Sequence, residues 1–232
     1  MKSVTALILF WGITCTALFA QSSICENGYL AFKEGVSFEL TSYNAKGKVS
    51  SVVDHMIDHV TSTDNGFKAT VSTNVMDDKG KSAVQGQYSI ECRDDGLYLD
   101  ISSMLSPETM KAFGSMQVDV TGDALSIPNT MHPGQTLPDG EMTMKASMNG
   151  MSLMKLTVSV TDRKVTGTEQ RTTPAGTFDC IIIEQQTTLS GFGKNSYASK
   201  SWYAKGVGMV RTENYGKKGD LSSYTELTKF SK

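Results

Sequence analysis

Apolar and polar positions alternate with a period of two along most of the chain, the pattern of strands with one buried face. Residues 35–43 put Val36, Phe38 and Leu40 on one side, and residues 44–48 form a turn that offers Gly47 for a positive φ. Residues 67–76 follow the same logic and end at the turn 77–81. Residues 85–92 and 97–101 flank Arg93-Asp94-Asp95-Gly96, a tight-turn signature. These pieces predict an antiparallel meander. Further strands are expected at residues 124–127, 176–185, 197–203, 208–214 and 221–228, with an irregular loop at 128–134 and turns at 137–140 and 215–220.

Three stretches need closer reading. In residues 49–60, Val49, Val52, Val53, Met56, Ile57 and Val60 also fit a helical stripe, with Asp54, His55, Asp58 and His59 outward. Their β-branched content and the turns on both sides favour a strand. One short helix is predicted at residues 107–113: Ser106 caps it, Pro107 suits its first position, Leu105 and Met110 form a staple, and Gly114 ends it. In the hairpin 141–160, Met142, Met144 and Ala146 share one face, and Met154, Leu156, Val158 and Val160 share another. A two-residue Asn149-Gly150 turn would place these rows on opposite sides of the sheet. A three-residue loop, Met148-Asn149-Gly150, pairs Ala146 with Ser152, Met144 with Met154 and Met142 with Leu156, and so keeps one face continuous. That loop is the prediction.

The first twenty residues change the picture most. Lys2 precedes an apolar core at residues 4–19, and Ala20 before Gln21 suits signal-peptidase cleavage. The expected organisation is a signal peptide at 1–20 and a single β domain at 21–232, with no domain linker and no repeat of fixed period. No later stretch reaches the ~20 apolar residues of a membrane helix, so no transmembrane segment is expected after cleavage. Cys15 follows Gly12-Ile13-Thr14 and Cys25 follows Ser22-Ser23-Ile24, and neither context resembles a lipid-attachment box. The protein is therefore expected to be periplasmic or extracellular and not a lipoprotein. Losing Lys2 takes the formal charge from −2 to −3, and no basic run is interleaved with aromatics, so no nucleic-acid partner is expected.

Cys15 leaves with the signal, and Cys25, Cys92 and Cys180 remain. An oxidising compartment favours one disulfide and one leftover thiol. Cys25–Cys92 is the favoured pair, with Cys180 reduced inside the apolar run 178–183; spacing leaves the other two pairings open.

Several motifs resemble the TapB-like family of exported bacterial proteins, itself related to a domain of unknown function. They are Ile127-Pro128, Gly134-Gln135-Thr136-Leu137, Asp139-Gly140, and the stretches 162–169, 173–180 and 202–211, which reads Trp-Tyr-Ala-Lys-Gly-Val-Gly-Met-Val-Arg. Residues 25–48 and the turn 91–96 are similar too, which adds weight to Cys25–Cys92. Phe32 stands where most members have a proline near the first strand. The resemblance implies an all-β fold, a strongly curved antiparallel sheet or half-open β-barrel whose open side is covered by a helix or loop. It brings no catalytic residues. Within these motifs, Gly176 suits a positive-φ turn, Gly206 and Gly208 bracket a kink, and Trp202 and Tyr203 point to opposite faces, one packed and one free for solvent or a ligand.

Candidate chemistry follows from this frame. An apolar ligand such as a lipid or acyl chain would lie on the concave face, with Met142, Met144, Met154 and Trp202 as candidate ligand-binding residues, because thioethers suit adaptable apolar sites. Met142-x-Met144, Met148-x-x-Met151-x-x-Met154 and Met131-His132 have spacings that a soft copper site uses, but the turn separates them and no metal site is assigned. His55 and His59 read as solvated on a strand. There is no nucleophile elbow, zincin motif, phosphate loop or nucleotide fingerprint, so neither an enzyme nor a cofactor is expected. An envelope protein partner, recruited by strand addition, is the alternative, followed by a methionine-based copper-binding role.

Overall fold

The computed structural model describes residues 25, 28–100, 117–122, 125–149, 151–191 and 193–232. The expected signal peptide at 1–20 and the expected helix at 107–113 lie outside the described residues. The described elements are thirteen strands and no helix: β1 (Ser37–Asn44), β2 (Val49–Thr63), β3 (Gly66–Asp77), β4 (Ser82–Arg93), β5 (Gly96–Asp100), β6 (Gln117–Gly122), β7 (Ser126–Pro128), β8 (Gly140–Met148), β9 (Met151–Thr173), β10 (Gly176–Gly191), β11 (Gly193–Ala204), β12 (Gly208–Tyr215) and β13 (Leu221–Ser231). They form one antiparallel sheet in the order β6-β8-β9-β10-β11-β12-β13-β1-β2-β3-β4-β5-β7. Two meanders, β1–β5 and β8–β13, meet in its middle, where β13 pairs with β1 through Phe38 opposite Phe230 and Leu40 opposite Leu227.

The connectivity demands curvature. A flat sheet of this order would hold its edges, β6 and β7, almost 60 Å apart at about 4.8 Å per strand. Gly122 ends β6 and Ser126 begins β7, and four Cα steps span at most about 15 Å. The sheet is therefore rolled until its edges approach at one end, yet it is not closed by strand pairing. Residues 126–137 bridge the gap. On one side β7 pairs with β5, Leu97 opposite Ile127. On the other, where β8 stops opposite Val160, the edge of β9 is taken over: Leu137 N donates to Arg163 O (2.9 Å), Val165 N to Gln135 O (2.8 Å) and Gly134 N to Val165 O (2.8 Å).

Core residues line the inner face at this end. Val36, Ile57, Val71 and Cys92 come from the first meander, Val165, Ile181 and Ile183 from the second, and Tyr29, Leu30, Phe32, Met131 and Leu137 fill the space between. The Cys25–Cys92 disulfide, with Cα atoms 5.8 Å apart, ties the segment before β1 to the end of β4, as expected. A smaller cluster of Cys180, Ile182, Trp202, Ala204 and Val210 packs on the outer face.

Residues 49–60 are strand, within β2. Three other features depart from the sequence reading. The pattern gave no sign of β6, and β9 runs on past Val160 to Thr173, through the 162–169 motif, with Asp162 at φ 54° where the register shifts. The β8–β9 turn is the two-residue one, Met148 opposite Met151, rather than the three-residue loop. A bulge corrects the parity: Ser147 pairs with Ser152 but Ala146 pairs with Met154, leaving Leu153 as the extra residue. The requirement of one continuous apolar face is met by a different device.

Candidate functional site: the concave face

Register carries the methionine row onto the concave face. Met142 lies opposite Val158, Met144 opposite Leu156 and Ala146 opposite Met154. From β6, Val120 faces Met144 and Val118 faces Ala146; from β10, Leu189 faces Val158. Met142, Met144, Met154, Leu156, Val158, Val120 and Leu189 are all half-buried, while Ala146 is fully buried. The same face of β9 continues through Val160 to Arg163 and then to Val165 in the core. A half-buried apolar strip therefore runs from the hairpin to the packed end of the roll.

Arg163 marks the junction. It is 1% exposed, and its guanidinium donates from Nη1 to Pro138 O (2.6 Å), from Nη2 to Ser126 O (2.9 Å) and from Nε to Gln185 Oε1 (3.4 Å). Burial opposes its charge and pulls its pKa down from the ordinary arginine value. Sequence reasoning missed this role, because an arginine in a strand is normally a surface residue and nothing in its neighbours marks it otherwise.

The first meander contributes aromatic rings to the same face. His55 stacks on Phe38 at 4.6 Å between centroids, Tyr88 meets it edge-on at 6.0 Å, and Tyr88 Oη lies 3.3 Å from His55 Nδ1. Burial lowers the His55 pKa to about 4 and raises that of Tyr88 to about 12, so both are neutral. The reading of His55 as solvated is corrected: its half-buried ring packs against Phe38 and Tyr88, whereas His59 is exposed.

Trp202 does not join the methionines. It pairs with Ile182 on the outer face and is 2% exposed. Its Nε1 donates to Glu169 Oε1 (2.6 Å), and the Arg171 guanidinium lies 4.7 Å above the ring. Arg171 continues through Glu213 and Arg211 to Glu226 in a ladder of ion pairs. Tyr203, on the other side of β11, packs against the core, so neither ring of the pair is free. Cys180 is buried with its thiol pushed up to about 11, first by desolvation and then by Glu169 and Asp179. Burial and the neighbouring carboxylates thus favour the protonated thiol, as suits a core group.

A trough of about 970 Å³ crosses β13, β1, β2, β3 and β4 between two side-chain rows on the outer face; Glu39, Asp54, Met56, Asn74, Gln85 and Lys229 are among the residues that line it. Burial disfavours the Glu39 charge, but hydrogen bonds from Lys229 and Thr228 outweigh it and hold the carboxyl below its ordinary range.

Comparison with known proteins agrees with this architecture. Residues 33–227 match the family described as DUF3108-like. Nothing among curated proteins matches the chain. A Bacteroides fragilis protein described as exported and of YmcC-like fold superposes with a TM-score of 0.70 at 25% identity, over 89% of this chain and 100% of its own. A Parabacteroides distasonis protein described as a lipoprotein gives 0.70 at 25% identity, over 88% and 99%. The expected membership of a family of exported-type proteins related to a domain of unknown function is thus shown at the level of the broader DUF3108-like family.

Proposed function

Given that this chain belongs to the DUF3108-like family, we propose that it is an exported, non-catalytic protein of the cell envelope that holds an apolar ligand, a lipid or acyl chain, against the concave face of its sheet. The narrower TapB-like likeness and a periplasmic or extracellular location belong to the same proposal. One observation carries it: Met142, Met144, Met154, Leu156 and Val158 form a contiguous row that is neither sealed in the core nor left on an outer surface. Half-buried apolar strips continuous with a core are where ligands of low polarity gain most from leaving water. Methionine suits such a surface because its unbranched side chain adapts to ligands of different shape. The relatives described as exported and as a lipoprotein support the envelope setting.

Native mass spectrometry of the protein, purified from an exporting host without detergent or chelator, tests the proposal. Acyl-chain masses that dissociate on activation are expected on the wild type and absent from a folded Met144→Asp variant. A bare wild-type monomer that also takes up no added fatty acid overturns the proposal.

A further inference from the structure

We infer that the tip of the β8–β9 hairpin is a membrane-docking device that inserts into a bilayer surface carrying anionic headgroups. At that one turn Met148 is 39% exposed, Met151 66% and Leu153 51%, and the other large apolar side chains as open among the described residues, Met56 and Val84, lie on β2 and β4. Leu153 is the residue that the bulge expels from the ladder. Water would favour a polar side chain there, yet the position is occupied by leucine.

Charge identifies the occupant. Directly behind the tip, Lys145 and Lys155 are cross-strand partners and both are exposed. Like charges directly opposite one another on a sheet are unfavourable, and an anionic surface converts that cost into attraction. Residues 142–158 hold these two lysines and no acid; Asp119 on β6, in register with Lys145, is the acidic member of that row. Size separates a bilayer from a protein partner. A stable protein interface buries about 800 Å² on each side, far more than three side chains at a turn provide, whereas shallow insertion of a few apolar groups helped by lysines suffices at a lipid surface. The inference does not depend on a ligand in the concave face.

Co-sedimentation of the processed protein with two vesicle types tests it: pure phosphatidylcholine, and a phosphatidylcholine–phosphatidylglycerol mixture. Binding to the anionic vesicles is expected, weaker at high salt and weaker on phosphatidylcholine alone. Met151→Ser with Leu153→Ser, at exposed sites where substitutions cost little stability, is expected to lower vesicle affinity about tenfold or more. Lys145→Gln with Lys155→Gln is expected to lower it by roughly tenfold and to remove most of the salt dependence. No binding of the wild type to either vesicle, unchanged binding of the tip variant, or tip-dependent self-association in place of vesicle binding overturns the inference. Vesicle binding by protein that carries no acyl mass in native spectra and takes up no added fatty acid would uphold it while the concave-face proposal fails.

Discussion

His55 is neutral because its ring is stacked on Phe38 and capped by Tyr88, and protonation would put a charge where water is scarce. Its folded-state pKa of about 4 lies below the ordinary 6.5, so the unfolded chain binds the proton more tightly. The stabilising contribution is therefore complete above 6.5 and is lost as the pH falls from 6.5 towards 4. Glu39 and Glu213 also have lowered pKa values, but their contribution is lost only as the pH falls below the ordinary carboxyl value of 4.5, which leaves the upper part of the window to His55. Urea unfolding between these limits is expected to show stability falling by at most about 1.4 kcal/mol per pH unit, with the slope flattened in His55→Phe. A slope unchanged in that variant contradicts the assignment. Nothing in the alternation around position 55 distinguishes a packed histidine from a solvated one, because the residue type suits both. Trp202 shows the converse: its hydrophobicity was legible, but which face it occupies was set by the pairing of β11 with β10, which puts Trp202 opposite Ile182 and Tyr203 opposite Ile181.

Among the elements, turns were easier to read than bulges. The turns at Gly47, Gly80 and Gly219 have the positive φ that their sequences imply, since a glycine at a tight reversal has a local reason. The bulges at Leu153 and Asp162 have none, and both move a row of side chains to the other face. Gly66 between β2 and β3 shows how much one turn position can control. Its φ is 142°, and a Cβ there would lie 2.0 Å from the carbonyl oxygen of Cys92. Gly66→Ala must therefore displace β4 next to the disulfide or break the pairing of Gly66 with Arg93. A loss of about 2–3 kcal/mol is expected in chemical denaturation; an unperturbed midpoint would show that the turn relaxes freely.

The whole molecule is organised by closure. Its sheet has a strand from each end of the chain, β1 and β13, paired at its centre, and its two edges come from consecutive strands, β6 and β7. Residues 126–137 and Arg163 hold the edges together, with one buried guanidinium reaching the carbonyls of both Ser126 and Pro138. In Arg163→Met those carbonyls lose their donor, and the bridge is expected to open locally even if relief from burying a charge offsets part of the global cost. Hydrogen exchange at the Leu137 and Val165 amides, both bonded across the bridge, is expected to speed up about tenfold or more. Unchanged exchange there would mean the strap is held by its backbone contacts alone. Opening of this end would also loosen the floor of the apolar strip, since Val160 and Arg163 are neighbours on the same face of β9.

Alternation and turn residues by themselves determined the all-β class, the order of the hairpins and the grouping of Met142 and Met144 on one face, because those properties depend on a period of two and on local backbone geometry. Cysteine arithmetic and motif likeness likewise point to the disulfide partners Cys25 and Cys92. Tertiary structure alone decided that a bulge rather than a three-residue loop brings Met154 to those methionines, that Trp202 lies on the other side of the sheet, that His55 is packed between Phe38 and Tyr88, and that Arg163 links the edges. Each of these depends on which strands become neighbours when the sheet rolls and on the shift of register that rolling imposes. Such constraints act between residues far apart in the chain, and no local pattern encodes them.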